Sequence, residues 1–168
     1  MNTVTVKIRP EAEKFTAEED AALRRAGSII QSGGLVAFPT ETVYGLGGDA
    51  LHRESARKIY AAKGRPSANP LIVHICRVED LEKIACRIPE EAFHIADAFW
   101  AGPLTMILHK TALVPSETTG GLDTVAVRFP SDRIAGRLIR YSGGFVAAPS
   151  ANRSGRPSPT YAKYVLQD

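Results

Sequence analysis

The sequence predicts a single α/β domain, a twisted open sheet with helices on both faces. The prediction rests on strands alternating with helical patterns along the whole chain, on short connections, and on one unit that occurs twice. The copies are Ser32-Gly33-Gly34-Leu35-Val36-Ala37-Phe38-Pro39-Thr40 and Ser142-Gly143-Gly144-Phe145-Val146-Ala147-Ala148-Pro149-Ser150. Each follows a helical pattern that glycine can close, because glycine adopts left-handed backbone. Residues 35–38 and 145–148 are near-continuous apolar runs, as expected of strands buried on both faces. Each run delivers a hydroxyl residue, Thr40 or Ser150, to a strand end, and open α/β sheets bind ligands beyond such ends. The tails Thr40-Glu41-Thr42 and Ser150-Ala151-Asn152 are therefore expected to share a ligand crevice.

Residues 3–8 alternate through Val4, Val6 and Ile8 and read as an opening strand closed by Pro10. Thr16 with Glu19 makes a capping box. The helix behind it carries Ala22, Leu23, Ala26, Ile29 and Ile30 on one face and stops at Gly33. Residues 53–63 form the next helix, with Ala56, Ile59, Tyr60 and Ala62 inward, ended by Gly64 and Pro66. Residues 71–75 are a strand. Residues 80–87 and 89–100 read as helices, the second opening on Pro89 and ending before Gly102-Pro103. Residues 105–109 and 124–129 are strands on either side of a Ser/Thr/Gly-rich loop at 115–121. Ser131-Asp132 caps a helix carrying Ile134, Leu138 and Ile139. A last helix starts near Thr160, and the abrupt end at Asp168 reads as one domain, 1–168, lacking its C-terminal segment.

A chain of 168 residues with 44% apolar content can bury a core without staples. No apolar run approaches the length of a membrane span, and residues 1–7 are too polar for a secretory signal, so a cytoplasmic protein with no membrane partner is expected. Cys76, at a strand end, and Cys86, in a helical pattern, lack metal or redox spacing and read as buried reduced thiols. No metal site is expected. The net charge of +3 and pI near 9.0 fit an enzyme for anionic substrates and permit nucleic-acid contact without requiring it.

No GxxxxGK[ST], HExxH or GxSxG is present, and Gly45-Leu46-Gly47-Gly48 lacks the GxGxxG spacing. A nucleotide must be held otherwise. Lys63-Gly64-Arg65-Pro66-Ser67-Ala68-Asn69-Pro70 offers two cations on a loop stiffened by prolines, which suits phosphate oxygens better than helix capping alone. The loop Pro149-Ser150-Ala151-Asn152-Arg153-Ser154-Gly155-Arg156-Pro157-Ser158-Pro159 adds hydroxyls, an amide and two arginines directly after a buried strand. His74 and Arg128 lie within apolar strands. On the residues alone, His74 is a core histidine or a ligand, and Arg128 faces a structural carboxylate or a substrate one. His52, His94 and His109 read as structural. Glu41 is the nearest candidate general base, with a structural role equally open, and no general base is assigned.

The segments Pro39-Thr40-Glu41-Thr42-Val43-Tyr44-Gly45-Leu46, Lys63-Gly64-Arg65-Pro66 with Asn69-Pro70-Leu71-Ile72-Val73-His74, and Pro149-Ser150-Ala151-Asn152 together resemble the YrdC-like family. The resemblance runs from about Ala21 to Val165. It implies a twisted mixed sheet around a positively charged cavity, and a threonylcarbamoyl-AMP synthase. Such an enzyme is a nucleotidyltransferase that joins L-threonine, bicarbonate and ATP, releases pyrophosphate, and serves a threonylcarbamoyl-transferase complex acting on tRNA. By the resemblance, Thr40, His74 and Arg128 hold threonine. Lys63, Arg65, Asn69, Thr124, Ser150, Asn152 and Ser158 hold ATP, with Lys63, Arg65 and Mg²⁺ neutralising the phosphates. The family's usual continuation, a further Ser/Thr-containing strand and an Arg-Pro-Gly segment, is absent from these residues. Two other readings stay open: a non-catalytic RNA-binding module, and a domain that forms a carbamoyl-adenylate from carbamoyl phosphate.

Overall fold

The computed structural model describes residues 3–9 and 14–168. Helix α1 (Ala17–Gln31) opens on the reciprocal capping box of Thr16 and Glu19, and the Glu19 carboxylate also pairs with Arg9. Strands β1 (Val36–Phe38) and β2 (Gly45–Asp49) form an antiparallel pair. Helix α2 (Arg53–Lys63) ends at Gly64 and leads to β3 (Ile72–His74). A 3₁₀ turn, the short α3 (Leu81–Ile84), β4 (Ala85–Cys86) and α4 (Glu90–Phe99) follow. Then come β5 (Thr105–Lys110), β6 (Thr124–Arg128), α5 (Arg133–Tyr141), β7 (Val146–Ala147) and the single turn α6 (Ala162–Val165).

The seven strands form one mixed sheet in the order β1-β2-β7-β3-β6-β5-β4, with β3 and β6 parallel and the other pairs antiparallel. One face packs Val73, Val125, Val127 and Ala147 against Ala56, Ile59 and Tyr60 of α2 and Ala92 and Ala96 of α4. The other face packs Phe38, Val146 and Ala148 against Leu23 and Ile30 of α1 and Ile134, Leu138 and Ile139 of α5. Each fully buried Leu or Ile contributes on the order of 2 kcal/mol, so these two layers are the main stabilising term.

The duplicated unit folds as two equivalent helix-to-strand returns, with Gly33 and Gly143 at φ +80° and +93°, where a side chain would be strained. β1 and β7 both run antiparallel to β2 and hence parallel to each other, so both copies discharge at the same edge. The burial differs from the sequence expectation in β1. It is an edge strand with Ala37 exposed, whereas β7, inside the sheet, is buried throughout.

Several other expectations are corrected. Residues 3–9 form no strand: Val4 and Val6 are exposed, and among the described residues no strand pairs with them. Pro10 lies outside the described residues. Ile29 and Ala62 point to solvent, and Gly27 and Lys63 take the inward positions. The helix expected over 80–87 stops at Ile84, and Cys86 sits on β4 against β5. Both cysteines are half-buried. Strand β2 was not among the expected elements, because its glycines carry no strand signal. The sheet needs them: a Cβ at Gly47 would stand 2.8 Å from both the Phe38 ring and the Val146 side chain.

Candidate active site

Strand register decides which side chains share a face. His74 lies beside Arg128 across β3–β6 and beside Val146 across β3–β7. Register partners point the same way and side chains alternate along each strand. Ile72, His74, Thr124, Ala126, Arg128, Thr105, Ile107 and His109 therefore occupy one face. α1 and α5 cover only the β1–β2–β7 half of it. The β3–β6–β5 half is open, with Ile107 71% exposed and Ile72 and Ala126 half-buried. The place expected to be a ligand crevice is a partly covered sheet face, bordered by the edge where Thr40 and Ser150 emerge.

The first group of candidate residues meets at the boundary between covered and open halves. Arg128 is 8% exposed, and its Nη2 donates to Glu41 Oε1 at 2.7 Å and Thr42 Oγ1 at 3.1 Å. Its Nε is buried without an acceptor. Glu41 keeps a carboxyl below its ordinary range: burial opposes ionisation, but the hydrogen bond from Arg128 and neighbouring amides outweigh it. His74 stacks edge-on against Phe38 and places Nδ1 3.1 Å from the Ile72 carbonyl. Burial first, then the Arg128 charge, lower its pKa to about 4, so it is neutral at physiological pH. Thr40 Oγ1 donates to the Val43 carbonyl at 2.7 Å and accepts from the amides of Thr42 and Val43. That hydroxyl shapes the turn that brings Glu41 and Thr42 over Arg128.

The second group gathers around the loop after β7. Ser150 bridges Gly45, Leu46 N–H donates to Pro149, Ala151 N–H to Tyr44, and Tyr44 N–H to Pro159. Lys63, 4% exposed, donates its ammonium to the carbonyls of Ser150 and Asn152 and so pins this loop to α2. Burial, with Arg65 nearby, lowers its pKa to about 8, against the pull of Asp168. Arg65 reaches back to the carbonyls of Asn69 and Pro70 at 3.4 and 3.3 Å, long contacts that leave it the more available cation. Asn69 is exposed; its carbonyl also accepts from Tyr60 Oη. Asn152 is buried, with Nδ2 on the carbonyls of Arg153 and Arg156 and Oδ1 unpartnered. Ser158 is exposed next to Pro159. Thr124 lies on the open face but beside His109, at the far end of β6 from Arg128.

His74, Arg128 and Thr124 thus lie on the partly open face, and Thr40, Ser150, Asn152 and Ser158 in the segments following β1 and β7, whereas Lys63 closes α2 and Arg65 and Asn69 lie in the loop between α2 and β3. Glu41 and Thr42 as partners of Arg128 were not foreseen, nor was the placing of Thr105, Ile107 and His109 on the open face. The alternation within residues 105–109 carried a signal for the latter. Among the described residues no three His, Cys, Asp or Glu side chains could hold a metal ion, and no helix is long and apolar enough to cross a membrane.

Known proteins share this fold. The family Sua5_yciO_yrdC, described as "Telomere recombination", matches residues 28–168. Threonylcarbamoyl-AMP synthase from Pyrococcus abyssi is 51% identical over 166 residues, covering 99% of this chain and 47% of that protein. The Bacillus subtilis protein of the same name is 49% identical over 150 residues, 89% of this chain and 43% of that one. The crystal structure of P. abyssi Sua5 complexed with L-threonine superposes with a TM-score of 0.89 at 53% identity, covering 93% of this chain and 45% of that one. Escherichia coli YciO, at 22% identity and a TM-score of 0.73, shares the fold. The chain spans just under half the length of the threonylcarbamoyl-AMP synthases named here, and it belongs to the Sua5/YciO/YrdC family.

Proposed function

We propose that this chain carries the active site of a threonylcarbamoyl-AMP synthase, which makes threonylcarbamoyl-adenylate and pyrophosphate from L-threonine, bicarbonate and ATP. The observation that carries the reading is that two unlike polar clusters adjoin segments, after β1 and after β7, that hydrogen-bond to each other. Arg128 beside a neutral His74 suits a small amino acid; Arg65, with Ser150 and Asn152 held in place by Lys63, suits a polyphosphate and a ribose. The L-threonine complex of the P. abyssi relative supports the first subsite.

The chemistry needs no protein nucleophile. The threonine amine and bicarbonate condense to a carbamate with loss of water. A carbamate oxygen then attacks the α-phosphorus of ATP, a new P–O bond forms, and the bond to the β-phosphate breaks to release pyrophosphate. Alignment and charge neutralisation are what such a transfer demands. Arg128 would orient threonine through its carboxylate, with Thr40 shaping the flanking turn. Arg65 and Asn69 would face the phosphates from one side. Ser150, Asn152 and Ser158 would approach the nucleotide from the other, with Thr124 on the sheet between. The crevice loops offer cations and hydroxyls rather than clustered carboxylates, so Mg²⁺ would enter on the phosphates and neutralise their charge. The product would pass to a threonylcarbamoyl-transferase complex acting on tRNA in the cytoplasm.

The test is pyrophosphate release from ATP, Mg²⁺ and bicarbonate, with and without L-threonine. Strict threonine dependence is expected. Release that needs carbamoyl phosphate and ignores threonine would replace this reading with a carbamoyl-adenylate-forming domain. No release, together with RNA binding that weakens steeply with salt, would replace it with an RNA-binding module.

A further inference from the structure

The Arg128 guanidinium has five N–H groups, and their distribution is restrictive. Both hydrogens of Nη2 are directed to protein acceptors, Glu41 Oε1 at 2.7 Å and Thr42 Oγ1 at 3.1 Å. The Nε hydrogen is buried and faces no acceptor. Only Nη1 remains; among the described residues it donates to no protein atom. A bidentate carboxylate needs parallel N–H groups from two different nitrogens. While Glu41 stays in place, an incoming carboxylate can therefore have one nitrogen of Arg128 and no fork.

We propose that Glu41 is the resident ligand of the substrate-carboxylate subsite, and that the amino-acid substrate binds by exchanging its carboxylate for that of Glu41 on Arg128. This rests on the function proposed above. Glu41 is suited to leave. It belongs to an exposed turn, and its side chain is 20% exposed against 10% for that of Arg128. Asp132, whose pKa burial raises first, also feels the Glu41 charge weakly, so departure eases a like-charge repulsion as well. The exchange keeps the buried guanidinium paired with an anion both before and after binding, so Arg128 is never left as an isolated buried charge. It also makes Glu41 a determinant of specificity: a ligand lacking a free carboxylate has nothing to offer in its place.

The experiment is calorimetric titration of L-threonine into the wild-type chain, Glu41→Gln and Glu41→Asp. Glutamine removes the competing charge. Aspartate keeps the charge but withdraws the oxygen from Nη2 by one methylene. Exchange predicts that both variants bind threonine at least fivefold more tightly than wild type. Tightening in Glu41→Gln alone would reduce Glu41 to a long-range charge and overturn the exchange. Weaker binding in both would make it a residue that positions Arg128, and would overturn the exchange equally. If the wild-type chain itself binds no threonine, the proposed function falls and this inference with it. Equal melting temperatures for the three proteins, or a variant titrated below its own unfolding transition, keep the comparison on folded material.

Discussion

Acid should weaken this fold earlier than its carboxylates alone would allow, because of His74. The folded imidazole has a pKa near 4, against 6.5 in the unfolded chain, chiefly through burial and then through the Arg128 charge. Between those values the unfolded state holds a proton that the folded state refuses. Stability therefore falls as pH drops through 6.5, and the loss is complete only below about 4. At pH 7 the difference is almost unfelt. At pH 5 the unfolded residue is nearly all protonated and the folded one nearly all neutral, and linkage gives a loss of about 2 kcal/mol relative to pH 7. The carboxyls of Glu19, Asp20, Glu41 and Asp80 are held below their ordinary values, so they lose stability only as pH falls below roughly 4.5. Asp132, raised by burial, works in the opposite direction. Urea unfolding at pH 7 and pH 5, on wild type and on His74→Asn, isolates the contribution. Wild type should lose about 2 kcal/mol and the variant less than about 0.5. An equal loss in both proteins would refute the assignment of a buried neutral imidazole at this position.

Arg65 and Lys63 should separate as ligand and pin. Arg65→Ala removes only long contacts at the surface and should change stability by less than about 0.5 kcal/mol while weakening ATP binding about tenfold, read by titration of ATP. Lys63→Met leaves the carbonyls of Ser150 and Asn152 without their shared donor and should cost about 2–4 kcal/mol in urea unfolding, as well as nucleotide affinity. Gly47→Ala should cost about 1–3 kcal/mol, because the new methyl meets Phe38 and Val146 at 2.8 Å; a variant as stable as wild type would show that β1 can move away freely.

Local signals in the sequence were strong where neighbours in the chain do the work. The Thr16–Glu19 box, the Gly64 stop and the Asp132 cap each involve residues within one helical turn, and each forms as read. The duplicated unit correctly placed Thr40 and Ser150 at one edge, since equal connections leave equal strands parallel. β2 was illegible because its glycines answer to Phe38 and Val146, side chains that only the folded sheet brings over them. Residues 3–8 show the reverse error: alternation was present, but a strand also needs a partner, and none is beside them among the described residues. In the site, His74 and Arg128 stood out as polar residues in apolar strands. Their pairing across β3–β6 and the capture of Arg128 by Glu41, 87 residues away, arise from topology and could not be read from spacing.

The backbone contacts between the two edge loops have a consequence for hydrogen exchange. The Tyr44 amide is closed by Pro159, that of Leu46 by Pro149, and that of Ala151 by Tyr44. None of these protons can exchange unless the opposite loop moves away, although the partners lie more than a hundred residues apart in the chain. The three amides should therefore exchange with one shared opening free energy, as a single cooperative unit. A ligand that engages either loop should slow all three together.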